Sequence, residues 1–286
     1  MINNILYYCF DWDDNILSMP TKIIVLNNYG EEVGISTEDF AKYRHIIGIE
    51  KFIYEGHTIV SYPLDEQGNV DQDKAYRNFT DYSDENLFLE DVKYALNNNL
   101  YGPAWEDFVE CLTNGSLFSI ITARGHESNT IKEVIVFILN NVLTIEQKTK
   151  MYNSLLDFSY IFNQDKKHVF SKKYTDIFTE NELVKKYLRS CDYVGISSPS
   201  RGGQPSSTEK AKGVAIKEFQ NKINAFGKRV GMHVKLGFSD DDLKNVKHIE
   251  DLFKELDHEE FSHIIQYTVK NTNNPNNITK TITDIK

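Results

Sequence analysis

Short apolar runs that each stop at polar or acidic residues set the rhythm of this chain. Residues 2–10 are the first, ending in Phe10-Asp11-Trp12-Asp13-Asp14-Asn15. Residues 117–121, 191–196 and 232–238 are the others. Runs this short, bounded by turn-forming residues, predict buried strands. Between them the apolar period lengthens. Residues 79–98 turn helical, with Leu87, Phe88, Val92 and Ala95 as the apolar positions, until Gly102-Pro103 breaks the pattern. Pro103 suits the opening of a helix through Leu112, which Asn114-Gly115 closes. Ile131, Val134, Ile135, Ile138 and Leu139 form one stripe within 129–158. After a break near Thr144, Met151, Leu155 and Leu156 continue it. Residues 209–226 predict a helix with Val214, Ile216 and Phe219 as apolar surface, and residues 243–256 predict another. Residues 159–190 are polar and mixed, and 197–208 are rich in Ser, Gly and Pro, as a loop would be.

Two stretches have β character instead. Residues 22–26 lead to turn signals at Tyr29-Gly30 and Gly34. Thr37 is a cap for a short helix through Arg44, and residues 57–62 are β-prone before a turn over 63–69. This predicts a hairpin or flap near the first acidic strand end. Residues 261–269 and 278–285, around Asn274-Pro275, predict a terminal β-hairpin. Strands alternating with helices favour an α/β core.

Composition narrows the class. The 286 residues are 40% hydrophobic and 26% charged, an ordinary globular balance. The net charge of -10 argues against extensive nucleic-acid binding by bulk electrostatics. Cys9, Cys111 and Cys191 are odd in number and far apart, which suggests a reducing, cytoplasmic setting rather than a disulfide scaffold. The N-terminus lacks a basic segment followed by an apolar one, and there is no run of eighteen apolar residues, so neither a secretory signal nor membrane association is expected.

The candidate chemistry lies where the apolar runs end. Asp11 and Asp13 follow the first. In an extended strand they share a face while Trp12 points away. One carboxylate can attack phosphorus, and the other can protonate a leaving oxygen and later activate water. Thr122 ends the second run, where its hydroxyl and nearby N–H groups can hold phosphoryl oxygens. Lys210 and Lys212 sit near a helix start and can neutralise phosphate charge. Asp240 and Asp241 follow the last run. Such a cluster of acids suits Mg²⁺, which prefers oxygen ligands. Asp240, Asp241 and Asp242 are also good helix N-caps. Arg124, just past Thr122, and Arg201, in the loop, are further candidate substrate-binding cations.

This ordered set closely resembles the haloacid dehalogenase-like hydrolase superfamily, whose members are mostly Mg²⁺-dependent phosphatases. Asp11-Trp12-Asp13 matches its first motif, with Asp14-Asn15 replacing the common Gly-Thr pair. Thr122 in Ile120-Ile121-Thr122-Ala123-Arg124 matches the second. Lys212 best matches the third, with Lys210 as the alternative, and Asp240-Asp241 matches the fourth. The resemblance implies a Rossmann-like parallel sheet flanked by helices, formed by residues 1–125 and 191–286. A helical cap or insert is expected within 126–190 and a β-rich flap within 18–75. It assigns nucleophile to Asp11, acid/base to Asp13, phosphoryl contacts to Thr122 and Lys212, and Mg²⁺ to Asp11, Asp13, Asp240 and Asp241. The expected activity is phosphomonoester hydrolysis through an aspartyl-phosphate on a small phosphorylated substrate. A non-catalytic metal- or ligand-binding regulator and a nucleic-acid end phosphatase acting on phosphorylated ends are the alternatives.

Overall fold

The computed structural model describes residues 4–82, 86–158, 177–255 and 259–285. Its main sheet is built from β1 (Asn4–Phe10), β6 (Phe118–Thr122), β7 (Asp192–Gly195), β8 (His233–Asp240), β9 (Ile264–Asn271) and β10 (Thr279–Asp284). The spatial order is β10-β9-β8-β1-β6-β7. All neighbours are parallel except β9 and β10, which form the terminal antiparallel hairpin. This is the expected Rossmann-like α/β architecture. Every residue of β6 is buried, as a strand covered on both faces requires.

The chain leaves β1 for β6 and β7 on one side, then crosses back to β8 and β9 on the other. The direction of winding therefore reverses at β1. In open parallel sheets the crevice at such a reversal, beyond the carboxyl ends of the strands, is where ligands bind. Asp11 is the first residue past the carboxyl end of β1.

Helices cover the sheet: α3 (Leu87–Asn97), α4 (Trp105–Thr113), α5 (Ser128–Asn141), α6 (Ile145–Asp157), α7 (Glu182–Ser190), α8 (Thr208–Val230) and α9 (Leu243–Lys254). The break near Thr144 is a capping box. The Thr144 hydroxyl accepts from the Gln147 N–H, and the Gln147 side chain accepts in return from the Thr144 N–H. α7 lies within the polar, mixed stretch 159–190, inside the segment where a helical cap or insert is expected. Its apolar residues come as two pairs one turn apart, Leu183-Val184 and Tyr187-Leu188, among lysines and an arginine. The expected stripe of α5 is buried as read, whereas Val214 of α8 is 56% exposed and Lys212 and Gln220 are buried in its place. The helix expected over 79–98 begins only at Leu87, capped by the Asn86 side chain. Arg77–Phe79 form a separate 3₁₀ turn.

Residues 22–61 form a second, four-stranded sheet within the region of the expected β-rich flap. Its strands are β2 (Lys22–Asn27), β3 (Glu32–Ser36), β4 (Phe52–Tyr54) and β5 (His57–Ser61), in the order β3-β2-β5-β4 with every pair antiparallel. The short helices α1 (Thr37–Tyr43) and α2 (Gln72–Ala75) adjoin it. The α1 cap is the Ser36 side chain rather than Thr37. This sheet has a hydrophobic cluster of its own, formed by Val25, Val33, Ile35, Ile47, Tyr54 and Ile59. By contrast, the helices of the 126–190 segment send Ile131, Val134, Met151, Leu155, Leu183 and Tyr187 into the same cluster as the main sheet. Residues 159–176 of that expected insert lie outside the described residues. Among the described residues, no helix is long and apolar enough to cross a membrane.

Candidate functional site

Strand register brings the acidic strand ends together. Phe10 pairs with Ser239 on one side and Ile120 on the other, so Asp240 stands level with Asp11 and Thr122 one step further along. The Asp11 N–H donates to the Ser239 carbonyl at 3.0 Å, which extends the β1–β8 pairing one residue beyond the strand. One ligand oxygen each of Asp11, Asp240 and Asp241 lies within 4.8 Å of the others.

Lys212 enters this cluster from the first turns of α8. Its Nζ lies 2.7 Å from Asp11 Oδ1 and 2.7 Å from Asp240 Oδ2, and the side chain is buried. Lys210, two residues earlier, falls on the opposite side of a helix with 3.6 residues per turn and is exposed. Arg201 is also remote from the cluster and pairs with Glu218 of α8 at 2.9 Å. Of the sequence candidates for a cation at the acids, only Lys212 reaches them.

Burial and charge together define the electrostatics. Burial pushes the Asp11 carboxyl well above the usual carboxylate range. Lys212 opposes that shift, and Asp240, Asp241 and Asp13 add to it. Asp241 is pushed up to about 7, by burial first and then by Asp240 and Asp14. Burial acts against the Lys212 ammonium, yet the Asp11 and Asp240 carboxylates outweigh it and raise its pKa. If all three acids ionise, one ammonium leaves two negative charges in a buried place, a costly arrangement that a divalent cation relieves. The donors are all carboxylate oxygens, which fits a hard cation.

Two asparagines hold this cluster in shape. Asn245 Nδ2 donates to both Asp240 oxygens, at 3.1 and 3.2 Å. Asn15, fully buried, donates to the Asp11 carbonyl and to Ser239, and accepts from the Thr272 hydroxyl at 2.8 Å. It thus ties the ends of β1 and β8 to the residue that follows β9. Asp14 adopts φ 54°, the left-handed region that glycine favours and that aspartate tolerates. The Asp14-Asn15 pair therefore preserves a tight loop and adds a buried clasp. Asp242 is the N-cap of α9 and accepts from the Lys244 N–H, so the capping role falls to the third acid of that run.

Asp13 lies outside this carboxylate group and faces different partners. Arg124 approaches it through two nitrogens, Nη2 at 2.6 Å from Oδ1 and Nε at 3.0 Å from Oδ2. The Thr122 hydroxyl donates to Asp13 Oδ2 at 3.3 Å. Arg124 is 1% exposed, so its donors serve the protein rather than a free pocket. Its remaining bonds go to the Thr21 hydroxyl and the Asn78 carbonyl. Beside it, His126 Nδ1 lies 3.0 Å from Asp81 Oδ1. Burial lowers the His126 pKa against the opposing pull of Asp81. Sequence reasoning missed Thr21, Asn78 and Asp81, because nothing in their local pattern marks them. Their contacts with Arg124 and His126 join segments far apart in the chain.

No protein-family model matches the chain, and neither a curated protein nor a solved structure matches it. Fold and site alone define an α/β protein whose buried cluster, Asp11, Asp240 and Asp241, can hold a metal or a phosphate group.

Proposed function

We propose that the chain is a Mg²⁺-dependent phosphomonoester hydrolase of the haloacid dehalogenase-like type. The observation that carries this reading is the buried Lys212 bridging Asp11 and Asp240 at the winding reversal of a parallel sheet, with Asp241 completing the acidic group. Asp11, Asp240 and Asp241 would hold the cation. When bound, it would screen the charge of the phosphoryl group and of the acids around it. Because Asp13 stands outside the cluster of Asp11, Asp240 and Asp241, we favour the acid/base role for it over the metal-ligand role also assigned to it from the motif.

In this reading a carboxylate oxygen of Asp11 forms a bond to phosphorus as the ester P–O bond breaks. The departing oxygen takes a proton from Asp13, which gives it only in its protonated form, released from Arg124. Asp13 then removes a proton from water, whose oxygen attacks phosphorus and releases inorganic phosphate and the Asp11 carboxylate. Lys212 neutralises the nucleophile and then the phosphoryl oxygens, and Thr122 positions Asp13. Such a reaction needs chiefly orientation and charge stabilisation, which this set provides. The net charge of -10 favours a small phosphate ester over an extended nucleic acid. The small antiparallel sheet, with its separate cluster, is the segment we assign to the cap. The helices of 126–190, which share the main cluster, we assign to the core.

Phosphate release from a panel of phosphomonoesters with Mg²⁺, comparing the wild type with Asp11→Asn, tests the proposal. Turnover should fall by roughly three orders of magnitude or more in the variant, the scale seen when a nucleophile is removed. Equal rates in both proteins overturn the mechanism.

A further inference from the structure

We infer that β10 is a dimerisation edge, which pairs antiparallel with β10 of a second copy of this chain about a two-fold axis at Ile282. This surface is the outer strand of the main sheet and takes no part in the proposed reaction.

β10 ends the six-stranded sheet, with β9 as its one strand neighbour among the described residues. Five of its six residues are exposed, so this edge is open to solvent. The other sheet ends offer less. β7 is buried at three of its four residues, β4 has only three residues, and β3 exposes one residue of five. An open edge strand presents unpaired N–H and C=O groups, which invite another strand unless something guards them. The β9 pairing fixes which groups these are. The Ile285 N–H donates to the Ile265 carbonyl at 2.9 Å, one step beyond the pairing of Asp284 with Gln266. Hydrogen-bonded residues alternate along an antiparallel pair, so Thr279, Thr281 and Thr283 also turn their backbone groups to β9. Lys280, Ile282 and Asp284 turn theirs outward.

These three residues are complementary to themselves. In an antiparallel pair centred on Ile282, Ile282 faces Ile282 of the second copy, while Lys280 and Asp284 each face the opposite charge. Every outward N–H of one strand then meets an outward carbonyl of the other. Ile282, 52% exposed in one chain, packs beside its copy on the same face of the sheet. One Asp284 oxygen accepts from Gln266 at 2.6 Å, which leaves the other for the ammonium. Lys280 has no acidic partner of its own among the described residues. Neighbouring registers fail. Centring on Lys280 or Asp284 sets like charges together, and centring on Thr281 or Thr283 sets a charge against Ile282. An edge lysine ordinarily repels a passing strand, but with Asp284 opposite it selects this one. The same patch on both copies closes the assembly with two-fold symmetry and makes one continuous sheet. A strand edge covers less surface than a standard interface, so the dimer should be weak, with a Kd of roughly ten to a hundred micromolar.

Sedimentation equilibrium of the full chain, over a concentration range that brackets the expected Kd, tests the proposal. Wild type should pass reversibly from the mass of one chain to that of two. Ile282→Pro removes the central outward donor and spares the β9 pairing, because edge strands accept proline where the N–H faces solvent. It should weaken association at least about tenfold. Lys280→Glu and Asp284→Lys should each weaken it too, since like charges then face each other. Mixing these two variants should restore a dimer, because every charge meets its opposite in the mixed pair. If Ile282→Pro does not fold, the charge variants and their mixture decide the matter. A short thiol cross-linker should join Ile282→Cys to itself far more than Thr281→Cys, whose residue faces Thr283 of the second copy. The chain's own cysteines are buried and should not react. A wild type that keeps the mass of one chain throughout overturns the proposal. So does a dimer that Ile282→Pro leaves intact, a mixture that fails to associate, or equal cross-linking at both positions.

Discussion

Asp11 and Asp13 stand two residues apart at one strand end, yet they belong to opposite environments. Asp11 shares its lysine with Asp240 and faces Asp241, so its side of the site carries more negative than positive charge. Asp13 has an arginine to itself, between two aromatic rings, with the Thr122 hydroxyl beside it. The first environment attracts a cation. The second is already neutralised and holds its carboxylate in one direction. A single acidic motif is thereby split into two chemical roles by what packs against each residue, which is how one site obtains two different carboxylates.

Removing the shared lysine should break the contrast most severely. Lys212→Met leaves Asp11 and Asp240 buried without their ammonium, a loss of about 3–5 kcal/mol in stability. Mg²⁺ should recover part of it, because the cation can take over the compensation. Thermal unfolding with and without Mg²⁺ checks both, and an unchanged Tm would mean that the two carboxylates do not depend on Lys212.

A smaller effect sharpens the division. Asp241→Asn should weaken Mg²⁺ binding at least tenfold, about 1.4 kcal/mol. Asp13→Asn should leave binding nearly unchanged while suppressing turnover. Calorimetric Mg²⁺ titration of the two variants separates the environments. Equal weakening in both would show that they form one cation site.

A further test of the contrast is pH dependence. Asp241 is pushed up to about 7 in the metal-free protein. A carboxyl raised in this way contributes stability that is fully present below its ordinary, unfolded pKa and is lost as pH rises through about 7. The metal-free protein should accordingly lose stability over that interval, by up to about 1.4 kcal/mol per pH unit from this group, and its Tm should fall with it. Cation binding requires the ionised form, so Mg²⁺ affinity should rise over the same interval, and excess Mg²⁺ should flatten the Tm profile. An affinity that is flat from pH 6 to 8 would contradict the assignment.

Much of the fold could be read along the chain because its signals are local. Buried parallel strands are short and apolar, helix stripes repeat with the helical period, and the break near Thr144 separates two of them. The acids at strand ends were legible for the same reason: a strand in a wound sheet delivers the residues after it to one edge. The individual helix α7 could not be read from its own pattern because its two apolar pairs are diluted by charged residues, and only the main core shows which face they bury.

The sequence by itself determined the α/β class, the acidic strand ends and the candidate lysines, since periodicity and motif order are properties of neighbours in the chain. Only the tertiary structure decided that Lys212 rather than Lys210 reaches Asp11, and that Arg124 turns to Asp13. It also decided that Asn15 clasps Ser239 and Thr272 across 224 and 257 residues of chain. Those outcomes depend on which side of a helix is buried and which distant segment closes over a strand end. The physical reason is that a charge or hydrogen-bond donor in a dry interior takes its role from the partners around it in space, and these partners are remote in sequence.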